Sequence, residues 1–366
     1  MAPIRVALVG VGNCASALVQ GIEYYKTTDD TSGLNFLDIG GYKVHDIEIV
    51  AAWDVDDRKV GKPLNEAILA PPNCCITLAS VSQASTAVVR MAPILDGVSE
   101  HMLTSESKPF LLSRQIEDST KAIYKELENV DVLINYLPVG SQKATEFWAD
   151  CCLVTNTAFL NCIPVFIASN PVWEQKFIDA KIPMIGDDMK SQFGASIMSQ
   201  MLQELALARG HHVKCHIQQN VGGNTDFLNM KNQERLASKK ISKENVLKAQ
   251  HTIQGKENGF LFAGPSDYIE YLGDTKIATF HLELEGFGKS PVKFEAKMTV
   301  QDSPNSAGIV VDAIRFLQVA KELGVSGSLR GASAFTQKSP PEQLSLEESM
   351  KECNALANRS FTPKTL

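Results

Sequence analysis

Arg5–Tyr25, RVALVGVGNCASALVQGIEYY, decides the fold of this 366-residue chain. Arg5–Val9 reads as a buried parallel strand, Gly10–Ala15 (GVGNCA) as a turn and Ser16–Tyr25 as a helix. Gly10 suits the tight turn, Gly12 lets the backbone approach a pyrophosphate, and Ala15 is the third small position, where helix packs on strand. Asn13 and Cys14 complete the loop. The first N–H groups of a helix have no intrahelical partner, so here they face the phosphates. GxGxxA alone is a weak signal. Between a strand and a helix, a few residues from the N-terminus, it predicts a Rossmann-like dinucleotide-binding unit.

A second strand, Ile47–Trp53, ends at Asp54, the expected acid for the adenosine ribose hydroxyls. The polar stretch Thr27–Asp46, with TTDDTSG and Gly40-Gly41, reads as an inserted loop that lengthens the usual spacing of about 20 residues. A carboxylate at position 54 repels a 2′-phosphate, which favours NAD over NADP. The length suits about two domains, and 44% hydrophobic residues can build full cores. Net charge −7 and a pI near 5.6 argue against nucleic acid or an anionic membrane as partner. MAPIRVALVG runs directly into the first strand without a signal-peptide pattern, and no run of about 18 apolar residues suits a membrane span. The cytoplasm is the expected location. The eight cysteines include no CxxC pair. The one metal-like run, His211-His212-Val213-Lys214-Cys215-His216, reads as a strand placing His212 and His216 on one face about two pleats apart, so no metal site is expected.

Alternation continues with helix 118–127, strand Val130–Tyr136, helix Ser141–Cys151, strand Thr157–Asn161, helix Asn170–Ala180 and strand Ile182–Ile185. Such alternation builds a parallel sheet covered on both faces. Ligands bind beyond the carboxyl ends of its strands. The loops there carry Leu137, Pro138 and Ser141, then Asn161, then Asp187 and Lys190, the candidate walls of a nicotinamide site. After Lys190 a helix, Gln192–Ala208, leads to antiparallel-looking strands at Val213–Gln219, Ala278–Glu285 and Val292–Val300. In HLELE, Leu282 and Leu284 share one face and Glu283 and Glu285 the wet one. DSPNS at Asp302–Ser306 reads as the cap of a helix Ala307–Leu323, and a final helix is expected near Leu344–Ala357. The expected fold class is α/β: a Rossmann-like parallel-sheet domain, 1–190 plus 302–366, with a second α+β catalytic and oligomerisation domain, 191–301.

Four lysines stand in polar or glycine-rich loop contexts: Lys190, Lys239, Lys276 and Lys338. Each alone is an ordinary surface lysine; together, beside a nucleotide fold, they suit an anionic substrate. VGGNTD at Val221–Asp226 offers backbone N–H groups and the Asn224 amide to a phosphate. In SKKISK, Lys239 and Lys243 fall one helical turn apart.

The ordered series VGVGNCAS (Val9), YLPVGS (Tyr136), PVFIAS (Pro164), GDDMKSQ (Gly186), VGGNTDFLN (Val221), SKKISK (Ser238), GDTK (Gly273), DSPNSAG (Asp302) and KSPPEQ (Lys338) resembles the myo-inositol-1-phosphate synthases of the shorter, prokaryotic type. The resemblance covers most of the chain; Thr27–Asp46 and Asn73–Ser113 match poorly. It implies an isomerase that uses NAD catalytically. D-Glucose 6-phosphate opens, is oxidised at C5, closes by an aldol step between C6 and C1, and is reduced again, giving 1D-myo-inositol 3-phosphate with no net redox change. Carried over by motif, Lys239, with Lys338 beside it, exchanges the C5 hydroxyl proton, and Lys276 steadies the C1 oxygen. Asp302 and Asp188 orient the lysines or the nicotinamide region. Ser191, Gln192, Asn224 and Lys243 hold the phosphate. The family resemblance also implies a homotetramer and leaves an assisting cation open. A sugar-phosphate or amino-acid-pathway dehydrogenase is the alternative enzyme, and an NAD-sensing module the alternative without catalysis.

Overall fold

The computed structural model describes residues 2–81, 85, 87–106, 109–231 and 259–360. Strands β1 (Ile4–Val9), β2 (Ile47–Asp54), β3 (Val89–Met91), β4 (Val132–Asn135), β5 (Ala158–Asn161), β6 (Pro183–Ile185) and β11 (Gly327–Ser328) form one sheet in the order β11-β6-β5-β4-β1-β2-β3. Every neighbouring pair is parallel. The near-continuous apolar strands follow from this, because both faces are covered. On one face Leu8, Leu18, Ile134, Val310 and Ile314 pack together; on the other, Val9, Leu133, Trp148 and Phe177. Helices α1 (Asn13–Lys26), α5 (Gln142–Thr155) and α6 (Pro171–Asp179) link successive strands. The crossover between β2 and β4 contains β3, the short helices α2 (Leu64–Ala67) and α3 (Glu100–Leu103), and α4 (Thr120–Leu127).

The second sheet has the order β10-β9-β7-β8, from β7 (His212–Gly222), β8 (Phe260–Tyr268), β9 (Thr275–Glu285) and β10 (Pro291–Gln301). Its β9–β10 and β7–β9 pairs are antiparallel, as the alternating pattern predicts, whereas β7 and β8 run parallel. Helix α7 (Ala195–Ala208) covers one face, placing Ala195, Met198 and Leu202 over Phe280 and Leu282. Gly210, at φ +79, stops that helix in the left-handed region. The expectation that His212 and His216 share a face is overturned. A register shift between Val213 and Cys215 adds one residue to β7, so His212 is exposed while His216 is fully buried against Gln203.

Helix α9 differs from the expected one in its start: it runs Asp302–Glu322, so DSPNS is its first turn rather than its cap. Pro304 tolerates this because the first helical N–H groups need no intrahelical partner. The remaining helices are α8 (Thr225–Asn229), between β7 and β8, and, after α9, α10 (Arg330–Thr336) and α11 (Leu346–Ala357). The 27–46 insertion is a loop, as expected, but an anchored one: Arg315 of α9, fully buried, donates to Phe36 O at 3.0 Å, Tyr42 O at 3.3 Å and Asp312 Oδ1 at 2.6 Å. Among the described residues no helix is long and apolar enough to cross a membrane.

Candidate active site

The glycine turn between β1 and α1 opens onto a cavity between the two sheets. Gly10 adopts φ +94, and a Cβ there would lie 2.6 Å from Tyr136 O, so only glycine fits between β1 and β4. Gly12 is different: a Cβ there would meet nothing within 4 Å, which leaves an open approach over the turn. Helix α1 has no side-chain cap at Gly12. Its first residues Asn13, Cys14 and Ala15 line the cavity. Neighbours outside the motif hold the turn in shape. Lys59, 4% exposed, donates to Val11 O at 2.8 Å and Asn73 Oδ1 at 3.1 Å, and Asn13 Oδ1 accepts the Cys74 and Cys75 N–H groups. This is what the poorly matched stretch after Asn73 does first. Asp54 accepts Val11 N–H at 2.7 Å on one oxygen and the Val55 and Asp56 N–H groups on the other, which binds the acid to the glycine turn. Arg58 is turned away on Asp56, through Nε at 2.8 Å and Nη2 at 2.6 Å.

The strand-end loops divide into a lining and a support. Leu137 and Pro138 line the cavity. Behind them a buried row crosses the sheet: Asn135 donates to Thr145 Oγ1 and Asn161 Oδ1, and Asn161 donates to Val165 O and Asp187 Oδ1. Asp187 also accepts the N–H groups of Ile167, Ala168 and Ser169 and the Ser169 hydroxyl. Burial pushes its carboxyl up to about 6, against those donors. Asn161, Asp187 and Ser141, whose hydroxyl closes on Pro138 O at 2.6 Å, therefore shape the wall from behind. Lys190 also stands behind it. Its amine is 3% exposed, donates to Ala334 O at 2.7 Å and is lowered to about 8 by burial first, then by Lys338.

Lys338 reaches the cavity because 187–190 and 336–339 pair edge to edge. Lys190 N–H donates to Thr336 O, Lys338 N–H to Asp188 O, and the 187 and 339 backbones exchange both bonds. Asp188, at φ +62, turns its carboxylate onto Lys338 Nζ at 2.9 Å. From the second sheet, Lys276 of β9 meets Asp302 of α9 at 3.0 Å. Both pairs line the same cavity as the glycine turn, with Ser191 and Asn224. Gln192 does not: its amide points into the insertion, donating to Gly33 O at 2.7 Å and Asn35 Oδ1 at 3.2 Å. Lys239 and Lys243 lie outside the described residues.

Gln218, Asn220 and Phe110 also line the cavity and carry no motif signal. Gln218 and Asn220 form a buried polar floor on β7, joined at 3.1 Å, with Gln218 fixed by Ser199. Phe110 lines the cavity too, and before it in the chain Ser99 and His101 meet Asn229 and Leu228 O of α8. Cys14 lines the cavity as a neutral thiol, pushed up to about 12 mainly by burial.

Similarity to known proteins follows this geometry. The family described as myo-inositol-1-phosphate synthase matches residues 194–303, the α7-to-α9 region that carries Lys276 and Asp302. The inositol-3-phosphate synthase of Mycobacterium tuberculosis is 45% identical over 348 residues, covering 93% of this chain and 92% of that protein. The Corynebacterium glutamicum inositol-3-phosphate synthase is 44% identical over 352 residues, covering 93% and 94%. A myo-inositol-1-phosphate synthase-related protein from Thermotoga maritima shares the fold with a TM-score of 0.77 over 99% of this chain and 100% of its own, at 22% identity. With a site of this build and relatives this similar along nearly the whole chain, the protein belongs to the myo-inositol-1-phosphate synthase family.

Proposed function

We propose that the chain converts D-glucose 6-phosphate into 1D-myo-inositol 3-phosphate, with NAD held at the glycine turn. The observation that carries this reading is the convergence of two lysine–aspartate pairs, Lys338–Asp188 and Lys276–Asp302, on the cavity that the uncapped start of α1 also faces. The turn fits the dinucleotide. Gly12 leaves room for a pyrophosphate against unspent N–H groups, and Asp54 stands at the end of β2 with Arg58 withdrawn onto Asp56, which favours a ribose hydroxyl over a 2′-phosphate. When bound there, NAD would supply a reversible hydride acceptor for the sugar.

The chain's own residues do the rest. Ser191 and the Asn224 amide, both lining the cavity, bind the phosphate, with Lys243 in that set by family carry-over, while Gln192, spent on Gly33 and Asn35, drops out of it. The Lys338 ammonium, oriented by Asp188, lies where the C5 oxygen loses and regains its proton, in company with Lys239. Lys276, oriented by Asp302, stabilises the C1 oxygen as it becomes an alkoxide during ring closure. Fixed ammonium groups stabilise such oxyanions far better inside a closed site than water does. Residues 99–106, docked on α8 through Ser99 and His101, and Phe110 exclude water while these anions exist.

The reading takes 1–190 with 302–366 as the nucleotide unit and 191–301 as the catalytic and oligomerisation unit, in a cytoplasmic homotetramer. The test is incubation with glucose 6-phosphate and trace NAD. Periodate-releasable phosphate should accumulate with no steady rise in absorbance near 340 nm. Accumulating NADH without inositol phosphate would overturn the reading in favour of a dehydrogenase.

A further inference from the structure

We propose that Asp274 is a positioning residue for both ends of the sugar: it aims the Asn224 amide at the phosphate and holds Asp302 against Lys276. The inference deepens the function proposed above and rests on it. Asp274 begins β9's approach to the cavity, directly after Gly273 at φ +53, and is 3% exposed. It is absent from the cavity lining, so it touches no reacting atom.

Its contacts join three elements. Oδ1 accepts Asn224 Nδ2 at 3.2 Å and the Ser303 hydroxyl at 2.7 Å, and Oδ2 accepts Ser303 N–H at 3.0 Å. The Asp274 carbonyl accepts Asp302 N–H at 2.9 Å. Asn224, for its part, spends its side-chain oxygen on α8, accepting Asp226 N–H at 3.1 Å and Phe227 N–H at 3.3 Å. An amide has two N–H donors. With its oxygen committed to α8 and one N–H to Asp274, Asn224 has a single remaining donor, and its direction is set. On the other side, two bonds to Ser303 and one to Asp302 N–H fix the first turn of α9, from which the Asp302 side chain meets Lys276 at 3.0 Å. One carboxylate thus couples the phosphate end of the site to the C1 end.

The three groups that meet the Asp274 carboxylate, two side chains and one backbone N–H, all donate, so the geometry suits the ionised form. Burial, with Asp302 close by, raises its carboxyl to about 6. The groups around it are Asp302 and Ser303 from α9, Asn224 from α8, and the Cys14 and Cys75 thiols from the glycine-turn side.

The experiment is a double-mutant cycle in the full-length enzyme, with glucitol 6-phosphate as the binding probe. Asp274→Asn should weaken the probe by roughly tenfold and raise the KM for glucose 6-phosphate, because an amide cannot accept from all three donors. NAD affinity should stay within about twofold, since the glycine turn is untouched. In an Asn224→Ala background the same change should weaken the probe by clearly less than tenfold, since only the share acting through Asp302 and Lys276 remains. Additive effects, or unchanged probe affinity with a lowered melting temperature, would overturn the proposal. Should Asp274→Asn fail to fold, Ser303→Ala removes one of the two donors to Oδ1, leaves that oxygen the Asn224 amide alone and loosens the carboxylate, and it should move KM in the same direction. A Ser303→Ala enzyme with the wild-type KM would equally sink the idea. If the wild-type protein makes no inositol phosphate, the functional reading fails instead.

Discussion

The two glycines of the turn should respond to the same substitution in opposite ways. At Gly10 an alanine carries two penalties. The backbone is left-handed at φ +94, which costs a non-glycine residue about 1–2 kcal/mol. Its Cβ would also lie 2.6 Å from Tyr136 O and 2.9 Å from Tyr136 C, a contact that only backbone movement relieves. Overpacking of that kind adds about 1–3 kcal/mol. The expected loss is roughly 2–5 kcal/mol, or a melting temperature lower by about 5–15 °C. Gly12→Ala meets nothing within 4 Å, at φ −89, so its own strain is small. The weaker cap and the lower unfolded-state entropy of alanine offset one another to within about 1 kcal/mol. In the proposed reading the methyl stands where the NAD pyrophosphate would approach. Losing one charge-assisted hydrogen bond is worth about 1.5–3 kcal/mol, or ten- to a hundred-fold in affinity. Thermal melting without ligand and calorimetric titration with NAD separate the two outcomes. Gly12→Ala binding NAD as the wild type does, or melting as early as Gly10→Ala, would refute the reasoning.

Other expectations follow from the buried charges. Lys338→Ala should slow inositol phosphate formation by about 100- to 1000-fold, the usual effect of removing one oxyanion donor; NAD affinity, titrated in parallel, should hold within about twofold. Lys190, lowered to about 8 from 10.5, makes stability depend on pH. Below pH 8 folded and unfolded chains both hold its proton, so the desolvation penalty is full; between pH 8 and 10.5 the unfolded chain binds more protons, and stability rises. Denaturant midpoints at pH 7.5 and 9.5 should show that rise, and Lys190→Met should flatten it. Arg315→Ala leaves Asp312, fully buried, without its cation and should destabilise by about 3–5 kcal/mol. Arg315→Met with Asp312→Leu should recover most of that loss in the same denaturant titration.

Local signals carried the first sheet well. Arg5–Val9, Ile47–Trp53 and Val130–Tyr136 are long apolar runs, and each appears as a strand whose burial on both faces explains its composition. Strands β3 and β11, of three and two residues, gave no such signal; neighbouring strands impose them. β8 contains Gly264 and Pro265, which locally argue against a strand, and pairing with β7 overrides them. The motifs located Asp188, Lys276, Asp302 and Lys338 because their residue types declare their chemistry. Whether a polar residue lines the cavity or braces it depends on strand register and loop pairing, which sequence spacing does not encode. Hence Gln192 turns toward the insertion, Asp187 props the wall, and Asp274, inside a quoted motif, emerges only through its contacts.

The pairing of the cavity lysines bears on how the site works. Net charge −7 gives the molecule no long-range attraction for a sugar phosphate, so capture falls to short-range contacts. Each of Lys276 and Lys338 is held by a carboxylate from a different chain segment, Asp302 of α9 and Asp188 of the 187–190 edge. A pair of this kind adds little stability compared with an apolar replacement. In the proposed mechanism it fixes an ammonium group in place before substrate arrives, so little reorganisation is needed when an oxyanion forms. It also predicts an asymmetry: removing Asp188 or Asp302 leaves the cation present but unaimed. Asp188→Asn should therefore lower kcat for inositol phosphate formation more than it raises KM for glucose 6-phosphate. A change confined to KM would show that the carboxylate serves binding rather than alignment.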